Sequence, residues 1–307
     1  MILVITHKED YTADYLINQL NKKAYKYLRL NCEDLLLTPS FSINDTNNFE
    51  TLFDFHNEIS SVWFRRTQVP KMDGLNQQER HYFNAEFDSL LENIYCSLED
   101  KKWLSNPFDI FKAENKILQL KLAQRIGLKI PRTLITNSRQ KIIDFYNGNK
   151  KTVIKPINSG YVANNDEVSL FFTNTLNDNH INTIEDFDLT PCIFQEYTEK
   201  EYELRVTVVD GHIFTARVDS QEVSESIIDW RRSKLKFKEE QIPKNLQLMC
   251  LEMCKSLNLN FGAFDFIKNA GDDGYTFLEV NPNGQWAWIE METELKISNA
   301  IINYLTK

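Results

Sequence analysis

Six mainly apolar residues open the chain in "MILVITHKED" before charge sets in, which predicts a buried first strand over "ILVIT" and is too short a run for a signal peptide. "DYTADYLINQLNKK" places apolar positions at helical spacing, "AYKYLRL" reads as a strand, and "TLFDF" and "SVWFRR" read as further short strands. "NQQERHYFNAEFDSLLENIYCSLED" is a long amphipathic helix, so residues 1–104 alternate as an α/β lobe. In "SNPFDIFKAENKILQLKLAQRIGLKIPRT" the spacing predicts one helix, capped by Ser105 or Asn106 with Pro107 in its first turn. Leu118, Leu122, Arg125 and Ile126 continue that helix, and Gly127 and Pro131 close it. From Thr152 onward strands dominate: "TVIKP", "EVSLFF", "CIFQEY", "YELRVTVV" and "HIFTARV", the last two joined by Asp210-Gly211, a type I′ hairpin signal. A helix from about Lys244 to Leu257, the strand "FGAFDFI", a Gly-Asp-Asp-Gly turn, the strand "YTFLEVN" and a final helix complete the pattern.

Composition narrows the function. At 307 residues and 42% hydrophobic the chain can bury a sizeable core in two or three lobes. It has no apolar run of membrane-spanning length. A net charge of -9 argues against nucleic acid as the main partner, while leaving room for a local basic pocket. The five cysteines are scattered without C-x-x-C spacing and read as buried thiols in a reducing cytoplasm. Cys250 and Cys254 share a helix face, but no paired histidines accompany them.

Candidate chemistry gathers in the last two strands. Asp265 sits in apolar "FGAFDFI", and Glu279 and Asn281 in "YTFLEVN" point to one face because strand side chains alternate. A carboxylate in such surroundings is costly unless paired. If the strands are neighbours, the three residues present oxygen donors suited to magnesium (Mg2+); otherwise they are solvated strand ends. Lys155 ends "TVIKP" either as a surface lysine or as a phosphate contact, with the small loop 158–160 offering backbone N–H groups. Glu203 and Arg205 share a strand face, suited to ribose hydroxyls and phosphate or to an ordinary solvated hairpin. A two-residue turn at Asp210-Gly211 puts Arg217 on the opposite face unless a bulge intervenes. Trp63 and Arg65 also share a face, which suggests an interface between lobes or subunits.

The order Lys116, "IKP", "QEY", E-x-R in a hairpin, "AFDF" and "FLEVNPNG" resembles the ATP-grasp superfamily of ligases over roughly residues 105–307. "SVWFRR", "YELRVTVVDGHIFTARVDSQ", "DWRR" and "EVNPNGQWAWIE" resemble, more narrowly, the microviridin-type peptide ligases, also called graspetide synthetases. The resemblance implies an α+β ATP-grasp fold: a pre-grasp α/β domain over 1–104, a central lobe over 105–190 and a C-terminal lobe over 191–307, with nucleotide between the last two. It implies ATP and magnesium as cofactors, with Asp265, Glu279 and Asn281 holding the metal and Lys116 and Lys155 the phosphates. Gln195, Glu196 and Tyr197 would meet the adenine, and Glu203 (or Glu199 or Glu201) the ribose. Arg205, with Arg217 or Arg231, would stabilise transferring phosphate or hold a substrate carboxylate. The implied reaction joins Asp or Glu side chains of a precursor peptide to its own Ser, Thr or Lys side chains through an acyl phosphate. The implied setting is a cytoplasmic homodimer that recognises a leader segment. Segment 219–240, which mixes acidic and basic residues with Trp230 and Phe237, reads either as a peptide-binding or lid segment or as a solvated loop with a short helix. Two other readings compete: a ligase adding free amino acids to a peptide or protein end, and a non-catalytic nucleotide-binding protein.

Overall fold

The structure is a computed structural model that describes residues 1–35, 45, 56–70, 72–158, 161–164, 167–170, 172–186 and 190–307, with the side chains of 161–164 and 167–170 excepted. Strands β1 (Ile2–Thr6), β2 (Tyr27–Asn31), β3 (Ser61–Phe64) and β4 (Lys102–Trp103) form a parallel sheet in the order β2-β1-β3-β4. Helices α1 (Tyr11–Lys22) and α2 (Gln77–Ser97) belong to this lobe. The Asp10 side chain caps α1 by accepting from the N–H groups of Thr12 and Ala13, and Asn76 and Glu79 form a capping box on α2. The strand expected over "TLFDF" lies outside the described residues.

The single helix expected after residue 105 is two: α3 (Pro107–Ala113), capped by Asn106, and α4 (Lys116–Ile126), capped by Asn115 and closed by Gly127 in the left-handed region. Gln119 explains the break. Its amide nitrogen donates to the Ala113 carbonyl (2.7 Å), which the interrupted helix leaves free, and to the Val280 carbonyl (2.8 Å). Its amide oxygen accepts from the Val280 N–H (3.0 Å). Gln119 thus completes the hydrogen bonding of an edge strand, and α4 lies against the C-terminal lobe.

The central lobe contains β5 (Thr133–Thr136), α5 (Arg139–Gly148), β6 (Thr152–Pro156), the hairpin β7 (Tyr161–Asn164) and β8 (Glu167–Leu170), β9 (Asn174–Thr175), α6 (Asp178–Asn182) and β10 (Cys192–Glu196). Its sheet runs β5-β10-β6-β9 and is antiparallel throughout. Two boundaries therefore shift from expectation: α3 and α4 leave the central lobe, and β10 joins it, so a border at residue 190 falls one strand early. This lobe keeps a small core of its own around Ile142, Phe145, Ile184 and Phe194.

The last lobe contains β11 (Lys200–Val209), β12 (His212–Val218), β13 (Phe237–Glu239), α7 (Lys244–Ser256), β14 (Phe261–Asn269), β15 (Tyr275–Asn281), α8 (Ala287–Glu292) and α9 (Ile297–Thr306). Its antiparallel sheet runs β13-β12-β11-β14-β15. Asp210 (φ 46°) and Gly211 (φ 78°) are both left-handed, as a type I′ turn requires. The helix expected at the C-terminus is two, α8 and α9, separated by residues 293–296. First and last lobes share their cores: Leu3, Ile5 and Phe64 join Phe264, Phe266 and Phe277 in one cluster, and Trp63 joins Trp286 and Ile289 in another. The Trp63–Arg65 face is thus an interface between lobes. Among the described residues no helix is long and apolar enough to cross a membrane.

Replacing Gln119 with Leu leaves three buried backbone groups without their partner and should destabilise the protein by about 2–4 kcal/mol. Urea unfolding checks this, and a loss below roughly 1 kcal/mol would show that water replaces the amide.

Candidate active site

Strand pairing assembles the site. Arg205 on β11, Asp265 on β14 and Glu279 on β15 stand opposite one another across three adjacent strands, and Asn281 pairs with Ala263. After the Asp265–Glu279 pair the register slips, and Phe266 pairs with Phe277, leaving Leu278 as an extra residue. A regular strand would put Phe277 and Glu279 on one face. The bulge at Leu278 lets Phe277 enter the core while Glu279 faces the site.

The resulting cluster is tightly bonded. Arg205 Nε donates to Asp265 Oδ1 (2.7 Å) and its Nη2 to Asp265 Oδ2 (3.3 Å). Asn281 Nδ2 bridges the two carboxylates, at 3.1 Å from Asp265 Oδ2 and 3.2 Å from Glu279 Oε1. Lys116, in the first turn of α4, ion-pairs with Glu279. Lys155 on β6 feels both carboxylates from the central lobe.

These contacts separate the two acids. Burial pushes the Asp265 carboxyl up to about 6, and Glu279 adds to this against the pull of Arg205. Burial acts on Glu279 in the same sense, but Lys116 and Lys155 outweigh it and hold that carboxyl low, at about 2. Burial pushes the Lys155 ammonium below its ordinary value, against the attraction of Glu279.

The other expected residues divide. Asp229 grips Arg231 through Nε (2.8 Å) and Nη2 (2.6 Å), and this partner raises the Arg231 pKa, with Glu279 and Asp265 contributing. Arg231 therefore stands within the field of the carboxylates. Segment 219–240 reaches the central lobe, where Arg232 Nη2 donates to the Thr173 carbonyl (2.7 Å) and the Thr173 N–H to Asp229 (3.2 Å). Trp230 and Phe237 in this segment meet Trp288, with ring centroids 4.6–5.7 Å apart. Glu203 is buried and ion-paired with Lys200 at 2.8 Å, whereas Glu199 and Glu201 are exposed.

Gln195 is buried on β10 and donates to Thr133 Oγ1 (2.9 Å). The Glu196 N–H donates to the Arg132 carbonyl (3.0 Å) and the Tyr197 N–H to the Lys151 carbonyl (2.7 Å). Both N–H groups are thus taken within the protein. Arg217 does not join the cluster. It pairs with Leu204 on the opposite sheet face, stacks over Tyr202 (3.7 Å) and ion-pairs with Asp219 (2.6 Å) and Glu240 (3.5 Å). No bulge interrupts the β11–β12 ladder, so the two-residue hairpin decides its face. Of loop 158–160, Ser159 and Gly160 lie outside the described residues.

Two residues that serve the site carry no distinctive signal in sequence: Gln119, which bonds both backbone groups of Val280 between Glu279 and Asn281, and Lys200, which charge-balances Glu203. Among the described residues no group of three or more His, Cys, Asp or Glu forms, so a metal here would rest on two carboxylates and an amide. That donor set fits magnesium by its chemistry: two paired carboxylates in a partly buried place, joined by an amide whose oxygen would serve as a third hard ligand once its nitrogen, which now bridges the carboxylates, turns away.

A three-lobed chain that gathers two carboxylates and lysines from two elements beneath its last strands defines an ATP-grasp ligase. Residues 113–305 match the RimK-like ATP-grasp domain and residues 1–110 the MvdD pre-ATP grasp domain; the chain belongs to the RimK-like ATP-grasp family. No curated protein matches it. Among solved structures it is similar to the macrocyclase MdnB from Microcystis aeruginosa MRC, with 30% identity, TM-score 0.81, and 99% of this chain and 98% of that one covered. It is also similar to macrocyclase MdnC from the same organism bound with precursor peptide MdnA, with 26% identity, TM-score 0.85 and coverage of 100% and 99%. A Chryseobacterium gregarium RiPP-associated ATP-grasp ligase in complex with ADP and a leader and core peptide matches at 26% identity and TM-score 0.83, over 99% and 96% of the two chains.

The raised Asp265 value has a sign that can be checked. Between about pH 4 and 6 the folded chain holds a proton that the unfolded chain releases, so this group lowers stability as pH rises through that window. Glu279 acts oppositely, and its contribution is lost as pH falls from about 4.5 towards 2. Urea unfolding of Asp265→Asn and wild type should show the variant gaining roughly 2–3 kcal/mol on wild type between pH 4 and pH 7. No gain of the variant on wild type across that range would mean that Arg205 keeps Asp265 ionised throughout.

Proposed function

We propose that this ligase is a peptide macrocyclase: it spends ATP to join Asp or Glu side chains of a ribosomally made precursor peptide to side-chain hydroxyls or amines of the same peptide. The observation that carries the reading is the carboxylate pair beneath Arg205, Lys116 and Lys155, on a chain whose full length matches ligases of precursor peptides. In the reaction, an oxygen of the substrate carboxylate attacks the γ-phosphorus of ATP and ADP leaves. The acceptor hydroxyl or amine then attacks the acyl carbon and phosphate leaves, so each ring costs the peptide one water. Magnesium, when bound by Asp265, Glu279 and Asn281, neutralises phosphate charge.

Within this scheme the chain's own residues position and shield. Lys116 and Lys155 draw the phosphates from opposite sides of the interlobe space, and Arg205 meets charge developing on the transferred group. Arg231, oriented by Asp229, holds the substrate carboxylate. Carbonyl oxygens around Glu196 and Tyr197 receive the adenine amino group beside Gln195, and Glu203 takes the ribose. Segment 219–240 receives the peptide, and its contacts to Thr173 and Asn174 tie it to the nucleotide-covering lobe. The enzyme works in the cytoplasm, in keeping with five unpaired cysteines.

Mass spectrometry of the protein with ATP, magnesium and the precursor encoded beside its gene tests this. Successive losses of water from an unbroken peptide are expected; mass gains by whole amino acids would overturn the reading in favour of a chain-extending ligase. In the same assay Asp265→Ala and Glu279→Ala fold but form no product, while Arg217→Gln keeps turnover within about twofold. ATP hydrolysis at the wild-type rate in either carboxylate variant would remove its metal role.

The enzyme forms a two-fold homodimer, the common closed arrangement for soluble oligomers. Sedimentation at micromolar concentration is expected to give twice the chain mass, and a monomer would sink this assignment.

A further inference from the structure

Arg65 is the most completely buried arginine of the chain, at 1% exposure, and it enters from the first lobe rather than from either lobe that faces the nucleotide. Its Nε lies 3.3 Å from Asp10 Oδ2, but the Asp10 carboxylate is otherwise spent on the N–H groups of Thr12 and Ala13 and on the Thr6 hydroxyl. Nη1 alone does the hydrogen bonding. It donates to the Asn283 carbonyl (2.9 Å), the Asn283 side-chain oxygen (2.7 Å) and the Gly284 carbonyl (3.4 Å). Among the described residues Nε and Nη2 have no hydrogen-bond partner.

As an adhesive this is poor design, since the buried guanidinium leaves Nη2 without a partner and serves Nε only by the ion pair to Asp10. The apolar cluster around Trp63 and Trp286 already joins the lobes. What the guanidinium adds is direction. Every acceptor of its Nη1 belongs to the turn that follows the site residue Asn281. That turn cannot move in pieces: the Gly284 N–H bonds the Asn281 carbonyl (3.2 Å). A Cβ at Gly284 would stand 2.6 Å from Ala263 Cβ and 3.2 Å from Asn281 Cβ. Asn281 in turn bridges Asp265 and Glu279.

We infer that Arg65 is a positioning residue: gripping Asn283 and Gly284 from the first lobe, it sets where Asn281 and Glu279 stand, so the lobe tunes a site it does not line. The inference rests on the nucleotide–metal reading of that site.

Calorimetric titration of ADP with and without magnesium, alongside kcat and precursor KM, tests it on wild type, Arg65→Lys, Asn283→Ala and the double variant. Lysine keeps the charge beside Asp10 and loses the multiple grip. Arg65→Lys should bind ADP in magnesium about tenfold more weakly and turn over ~100-fold more slowly, with precursor KM unmoved. Asn283→Ala, which removes one acceptor, should show a smaller loss of the same kind, and the double variant should be no worse than Arg65→Lys because the two act as one. Folded single variants with affinity and kcat within about twofold of wild type, or losses that multiply in the double variant, would overturn the inference. Should Arg65→Lys not fold, Asn283→Ala carries the same decision, because it leaves the arginine and its ion pair in place. Wild type that binds ADP equally with and without magnesium would overturn the site reading itself, and the inference with it.

Discussion

Two carboxylates held side by side in a partly buried place are the constraint around which the molecule is arranged. Asp265 and Glu279 are neighbours across adjacent strands, and neither burial nor mutual repulsion favours keeping both ionised. The chain answers with cations from three elements: Arg205 from the neighbouring strand, Lys116 from the start of α4 and Lys155 from the central sheet. A cluster so composed is suited to a polyanion with a divalent cation. It offers cations to the phosphates, oxygens to the metal, and an interlobe position from which water can be displaced.

Much of the surrounding structure serves that cluster. The bulge at Leu278 reconciles a core phenylalanine with a site glutamate two residues later. Gln119 bonds both backbone groups of Val280 between the two site residues of β15. Arg65 closes the chain from the opposite side by gripping the turn after Asn281. Because the first and last lobes share two apolar clusters, these supports rest on a continuous body, while the central lobe carries Lys155 on a smaller core of its own.

The legible part of this design was periodic or local. Strand alternation put Glu279 and Asn281 on one face, the Asp210-Gly211 hairpin put Arg217 on the other, and the structure agrees in both cases. The order of motifs pointed to the ATP-grasp family, which the domain matches show. What was not legible depends on partners distant in sequence. Nothing near Gln119 says that its amide will replace a strand, so the helix break at residues 114–115 was invisible. The lobe borders failed for the same reason: β10 takes its place by pairing with β5 and β6, not by any change in composition at residue 190. The N–H groups of Glu196 and Tyr197 are likewise taken by the carbonyls of Arg132 and Lys151, partners distant in sequence.

In the proposed reaction the cluster steers a phosphoryl group onto a carboxylate of the peptide. The measurement that reaches it most directly uses precursor peptide carrying heavy oxygen in its Asp and Glu side chains. After cyclisation with ATP, one labelled oxygen per ring should appear in inorganic phosphate, with ADP as the other nucleotide product. Label absent from phosphate, or AMP and pyrophosphate as products, would contradict the account.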